Sequence, residues 1–249
     1  MESIYLITAL GAIVAGFAQG LSGFAFGLVA MSFWAWALDP QLAAVLSVIG
    51  GLTGQIVAAF TVRRGFNWAM LAPFIAGGLC GIPIGVWLLP MLDIYKFKAI
   101  LGTFLILWCP AMLLAKNFPK ITLQSRLADG IVGLAGGVMG GIGGFTGTLP
   151  TLWCTLRGLD RDTQRSIIQN FNFALLIVIT ITYASTGIIQ ADMWPYFLIV
   201  SPIVVVTAFI GTRLYLGISP ERFRQIVLGF LIVSGISMLS SALPHLNLF

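Results

Sequence analysis

The chain has 249 residues, 59% hydrophobic and 8% charged, with a mean hydropathy of +1.01 and a net charge of +5. A soluble globular domain carries about 25% charged residues, so this chain cannot cover itself with a polar surface, and its solvent is lipid. The apolar runs are long and continuous, which excludes an outer-membrane barrel of alternating ~10-residue strands and gives an all-α integral membrane protein. The basic residues are scattered beside these runs, as in loops at a membrane surface, and form no nucleic-acid face.

Charges divide the chain into eight hydrophobic segments: 3–38, 40–62, 65–92, 99–115, 130–156, 166–191, 193–212 and 225–249. The opening stretch MESIYLITALGAIVAGFAQG lacks the positive n-region of a secretory signal and reads as a retained membrane segment. Short polar or proline-bearing loops separate the segments, and the longest, 116–126 (KNFPKITLQSR), is the natural midpoint. It is expected to be a cytoplasmic linker between a first membrane repeat, 1–115, and a second, 127–249.

The two halves are alike. AGFAQGLSGFAFG (15–27) lies over AGGVMGGIGGFTG (135–147), so that Gly20, Gly23 and Gly27 fall on Gly140, Gly143 and Gly147. LDP (38–40) matches LDR (159–161), and KFKAILGTFLIL (96–107) matches RFRQIVLGFLIV (222–233) with a one-residue gap. The expected fold is a duplicated unit of four segments.

As one helix, the first run would be roughly 54 Å long against a hydrocarbon core of about 30 Å. Two arms of about 15 residues would instead enter to mid-membrane and return, with the glycine cluster at the turn. The basic residues favour this reading. If all eight segments cross, the best orientation leaves Arg63, Arg64, Lys116, Lys120 and Arg126 on the wrong face. If segments 1 and 5 are re-entrant helical hairpins, only Lys96 and Lys98 lie outside. A hairpin plus three crossings then turns the second half upside down, an inverted-topology repeat with its site at the midplane. The opposing reading of segments 1 and 5 is a tilted, kinked span.

A hairpin tip frees backbone N–H groups at the start of its second arm, and these, with the helix dipole, attract anions. The candidate tips are 20–24 and 140–146, with Ser22 and Thr146 adding hydroxyls and Phe24 and Phe145 flanking them. The same glycines form GxxxG pairs, which let helices pack closely without binding anything. In segment 6, Gln169, Asn170 and Asn172 either bind substrate oxygens or tie helices together, and Gln55 is a similar outlier in segment 2. Arg165 and Arg213 either snorkel to the interface or draw anions toward the site. The candidate substrate-binding set is Gly20, Ser22, Gly23, Phe24, Gly141, Gly143, Gly144, Phe145, Thr146, Asn170 and Asn172.

No enzyme, metal site or cofactor is expected. Cys80, Cys109 and Cys154 are far apart and have no CxxC or histidine pairing. The glycine stretch lacks the lysine of a P-loop. GLSG (20–23) is similar to the serine motif of rhomboid proteases, but the lone histidine, His245, is badly placed as a base.

The duplicated unit and its glycine-rich openings resemble the TauE/SafE family of sulfite exporters and sulfonate permeases. The likeness is carried by GFAQGLSGFAFG (16–27), GGVMGGIGGFTGTLPTLWCTLRGLD (136–160) and IGTRLYLGISPERFRQIVLGFLIV (210–233). The resemblance implies a bacterial inner-membrane transporter of small sulfur-containing anions, sulfite or organosulfonates, working in export by alternating access. The alternatives are an anion channel of the same fold and a non-transporting scaffold. The expected partners are a small anionic substrate and membrane lipid, with a second copy of the chain left open. The first tip is bulkier (Gln19, Leu21, Ser22, Phe24) than the second, so equal use of the two tips is not implied.

Overall fold

The structure is a computed structural model and describes residues 2–61, 65–121, 125–213 and 220–246. All its long elements are helices: α1 (Glu2–Ser22), α2 (Phe26–Trp34), α3 (Pro40–Thr61), α4 (Trp68–Leu88), α5 (Ile94–Leu114), α6 (Arg126–Gly143), α7 (Thr148–Leu156), α8 (Arg161–Ser185), α9 (Trp194–Arg213) and α10 (Pro220–Ala242). Among the described residues, seven helices are long and apolar enough to cross a membrane: α1, α3, α4, α5, α8, α9 and α10. Large apolar side chains such as Phe60, Leu107, Leu127 and Leu198 stand exposed, as a lipid solvent allows. The chain is a multi-pass membrane protein.

Polar residues in the predicted loops start the helices by capping. Asn67, Asp93, Ser125 and Asp160 each accept backbone N–H groups from the first turn of α4, α5, α6 and α8.

Runs 3–38 and 130–156 each divide into a long helix and a nine-residue helix. The breaks fall at Gly23 (φ +83°) and Gly144 (φ +78°), a left-handed conformation that glycine adopts without a Cβ penalty. Both short helices double back. The Trp34 indole donates to the Thr8 carbonyl at 3.2 Å, which sets the end of α2 beside the early turns of α1. At the base of α6, Asp129 accepts from the Trp153 indole at 2.7 Å and from the Arg157 guanidinium at 2.9 Å. The arms are unequal, 21 and 9 residues in the first pair and 18 and 9 in the second, which corrects the expectation of two 15-residue arms. The cause lies in α1, where Gly16 and Gly20 stay helical because α9 packs directly over them.

The long helices then exchange partners: α1 lies on α9, α6 on α4, α5 on α10, and α3 meets α8. The α4–α6 seam is the tightest. A Cβ on Gly77, Gly81 or Gly85 would run into α6 backbone, and one on Gly133, Gly137 or Gly141 into α4 backbone. This is close packing through small residues at four-residue spacing.

The two ends of the bundle differ in charge. Lys120, Arg161, Arg165 and Arg224 surround one cavity at one end, where the Gly65 carbonyl also accepts from Ser166 and Asn170. At the opposite end Lys98 lies over the Trp36 ring, Tyr95 stacks on His245, and Tyr5 meets Tyr196. Arg63 and Arg64 lie outside the described residues.

Candidate functional site

The α1–α2 turn is held from behind. Gln55 of α3 donates its amide to the Gly23 carbonyl at 2.7 Å, and Gln19 donates to the Gly51 carbonyl at 2.9 Å. The Ser22 hydroxyl oxygen accepts the Ala25 N–H at 3.1 Å and the Phe24 N–H at 3.4 Å, which leaves its hydrogen free to donate outward. On the far side is Gln169 of α8. A Cβ on Gly23 would sit 3.0 Å from its amide nitrogen.

Ser22, Gly23 and Phe24 form part of the wall of a cavity of about 720 Å³. The rest comes from the chain around 115–120, the α7–α8 connection and the start of α10. Four cationic side chains line it, Lys120, Arg161, Arg165 and Arg224, against one acid, Asp162. A cleft lined by one sign of charge concentrates counter-ions. Thr151, Thr155 and Gln164 add polar groups, with the Gln164 amide donating to the Thr155 hydroxyl at 2.8 Å. Asp160, the cap of α8, stands near the rim. Its carboxyl is held below the usual range, first by its side-chain hydrogen bond with Thr163 and then by backbone N–H groups.

The α6–α7 turn is built differently, because its polar groups bond to the protein itself. The Thr146 hydroxyl donates to Asn172 Oδ1 at 2.8 Å, and both side chains are buried. Ser47 donates to the Gly143 carbonyl and Tyr183 to the Gly141 carbonyl, each at 2.7 Å. The Trp108 indole reaches the Thr148 carbonyl at 3.1 Å.

The two turns lie side by side rather than point to point. Gln55 holds the first and Ser47 the second, eight residues apart on α3, or roughly 12 Å along its axis. A Cβ on Gly27 would lie 3.2 Å from the Gly144 carbonyl oxygen.

Of the eleven candidate residues, the structure therefore places Ser22, Gly23 and Phe24 on the cavity. Gly20 and Gly141 sit in helix–helix contacts with α9 and α4. Gly143, Gly144, Phe145, Thr146 and Asn172 form the closed second turn. Asn170 donates to the carbonyls of Gly65 and Ser166 at 3.0 and 2.8 Å, tying a loop to α8. Residues outside the candidate set supply most of the cavity's charge: Lys120, Arg161 and Arg224, with Arg165 among them. The signal that could have found them is the basic loops 116–126, 157–165 and 222–224 read together as one face. No group of three or more His, Cys, Asp or Glu able to hold a metal occurs among the described residues.

A family model described as sulfite exporter TauE/SafE matches residues 8–238. No curated protein and no solved structure matches the chain.

Proposed function

The chain belongs to the TauE/SafE sulfite exporter family, and from that premise we propose that it carries small sulfur oxyanions or short sulfonates across the bacterial inner membrane by alternating access. One observation carries this reading: the first turn, with its exposed Ser22 hydroxyl, forms part of the wall of a cavity lined by four cations and one acid. Fixed donors and cationic side chains replace the hydration shell of a compact anion there. The excess of cations disfavours a cationic solute. Phe24 offers an apolar face to a short carbon tail.

We read 1–115 and 127–249 as inverted repeats, each opened by a re-entrant hairpin, with 116–126 cytoplasmic. Three observations support this. The hairpins fold back from opposite ends of the bundle, the first from the end that holds Trp36 and Lys98, the second from the end that holds Arg157. Partner exchange between α1–α9 and α6–α4 is what a two-fold relation gives. The basic cavity residues gather at one end, as the positive-inside rule asks of a cytoplasmic face. The cavity lies at that end, where an exported anion would load.

The test is counterflow of labelled sulfite in proteoliposomes. Saturable exchange, competed by short sulfonates, is expected. Single-channel currents without saturation would favour a pore, and no sulfite-dependent flux would refute the reading.

A further inference from the structure

We propose that Lys98 is a second anion-contacting residue, reached from the extracytoplasmic side when the carrier opens outward, and that the Trp36 ring covers it in this structure. The inference rests on the transport function and the inverted repeats proposed above.

Lys98 and Arg224 are counterparts. KFK (96–98) matches RFR (222–224), and each cation is the fifth residue of its helix, α5 from Ile94 and α10 from Pro220. The two helices pack together. They run in opposite directions, since Tyr95 at the start of α5 stacks on His245, just past the end of α10. The two cations therefore stand at opposite ends of one helix pair.

Their surroundings differ. Arg224 lines the basic cavity together with Leu159 and Arg161 of the α7–α8 connection. The matching segment of the first half is LDP (38–40), and there the same place is shut: Leu38 is 3% exposed and Pro40 is buried. Lys98 meets this connection through Trp36, with its ammonium 4.4 Å from the ring centroid and only 8% of the residue exposed. One place in the repeated unit is thus open to a cavity in the second half and closed in the first. Inverted repeats that are open on one side have this asymmetry, and alternating access exchanges the two arrangements. The exchange uncovers Lys98.

A purely structural role accounts poorly for this lysine. A buried cation needs a charged partner. The neighbouring Lys96 has one in Asp93 at 2.9 Å, whereas Lys98 has no carboxylate in ion-pair reach among the described residues. A snorkelling lysine carries its ammonium into water, which the burial of Lys98 contradicts. The ring face returns part of the desolvation cost, and Trp36 is itself exposed, so the contact can be traded for an anion without unpacking the core. The topology gives no other reason for a cation here, because Lys96 and Lys98 are the basic residues that the re-entrant reading leaves outside.

The experiment measures counterflow of labelled sulfite in proteoliposomes that hold the carrier in one orientation, with the half-saturating sulfite concentration determined separately on each side. Lys98→Met keeps the length and deletes the charge. It should raise the outer half-saturation about tenfold, the scale of one charge-assisted hydrogen bond, with a much smaller change on the inner side, and Lys98→Arg should recover most of the outer affinity. Trp36→Leu removes the cover and leaves the lysine. It should lower the outer half-saturation and raise the inner one, because outward opening no longer has to break the Lys98–Trp36 contact. Equal shifts on both sides in Lys98→Met, or no shift on either, overturn the proposal, as does an outer half-saturation in Trp36→Leu that rises or does not move. The Trp36 variant decides even where the lysine variant does not fold. If the wild type gives no sulfite counterflow, the transport function itself fails and this inference goes with it.

Discussion

The two turned-back helix pairs come from similar sequence and are used differently. Both bend at a left-handed glycine, Gly23 or Gly144, and both end in a nine-residue helix. The second is closed on every side: Thr146 is bonded to Asn172, the Gly141 and Gly143 carbonyls are occupied, Asp129 is paired with Arg157, and α6 is sunk into α4 by interleaved glycines. The first is held from behind by Gln19 and Gln55 and shows its front to a cationic cavity. Similar sequence thus yields one closed turn and one turn open to a cavity. A polar group bonded within the protein is not available to a ligand.

The largest effect should come from the closed pair. Gly81→Leu forces a side chain into the α6 backbone at Leu134, and no folded protein is expected in a size-exclusion profile after detergent extraction. Next is Asp129→Asn, which strands Arg157 at the base of α6. It should cost about 3–5 kcal/mol of stability in a thermal or denaturant melt, with recovery when Arg157→Met is added.

The turns themselves sharpen the contrast. Gly23→Ala and Gly144→Ala each place a Cβ at positive φ and should each cost roughly 1–2 kcal/mol. Only Gly23→Ala, whose Cβ would press on Gln169, should also lower sulfite flux per folded molecule. Equal transport defects in the two would break the comparison. Thr146→Val is milder. It leaves Asn172 Oδ1 without its donor and should reduce stability by about 1 kcal/mol while anion affinity, measured by ligand-induced thermal shift, stays unchanged. The smallest effect belongs to Arg165→Gln at the exposed cavity rim. It should slow sulfite loading at low ionic strength, and the difference should disappear in high salt.

Much of this was legible in the sequence, and the failures have physical causes. Composition fixed the solvent as lipid, and the overlong run 3–38 required a break. The glycine cluster located that break, yet a glycine can sit inside a helix when a neighbour packs on it, as Gly16 and Gly20 do against α9. Residue type alone cannot tell a turn glycine from a packing glycine, which is why the arms came out unequal. Register suffers for the same reason: sequence pairs Gly23 with Gly143, whereas the left-handed partner is Gly144. Thr146 and Asn172 stand out in the sequence because each is polar in an apolar run, and only the fold shows that the Thr146 hydroxyl reaches Asn172 Oδ1 at 2.8 Å. The cavity cations were hidden because Lys120, Arg161 and Arg224 come from three separate connections, and no local pattern joins them.

The central claim is that the anion meets the first turn and not the second. The most direct measurement compares Ser22→Cys with Thr146→Cys in a protein whose Cys80, Cys109 and Cys154 are replaced, using an anionic sulfonate-bearing thiol reagent applied to proteoliposomes. The expected result is rapid labelling at position 22, slowed by methanesulfonate, which does not react with the reagent, and abolishing methanesulfonate counterflow, with position 146 unreactive because Thr146 is buried. Labelling at 146 that methanesulfonate protects, with position 22 silent or indifferent to it, would contradict the account.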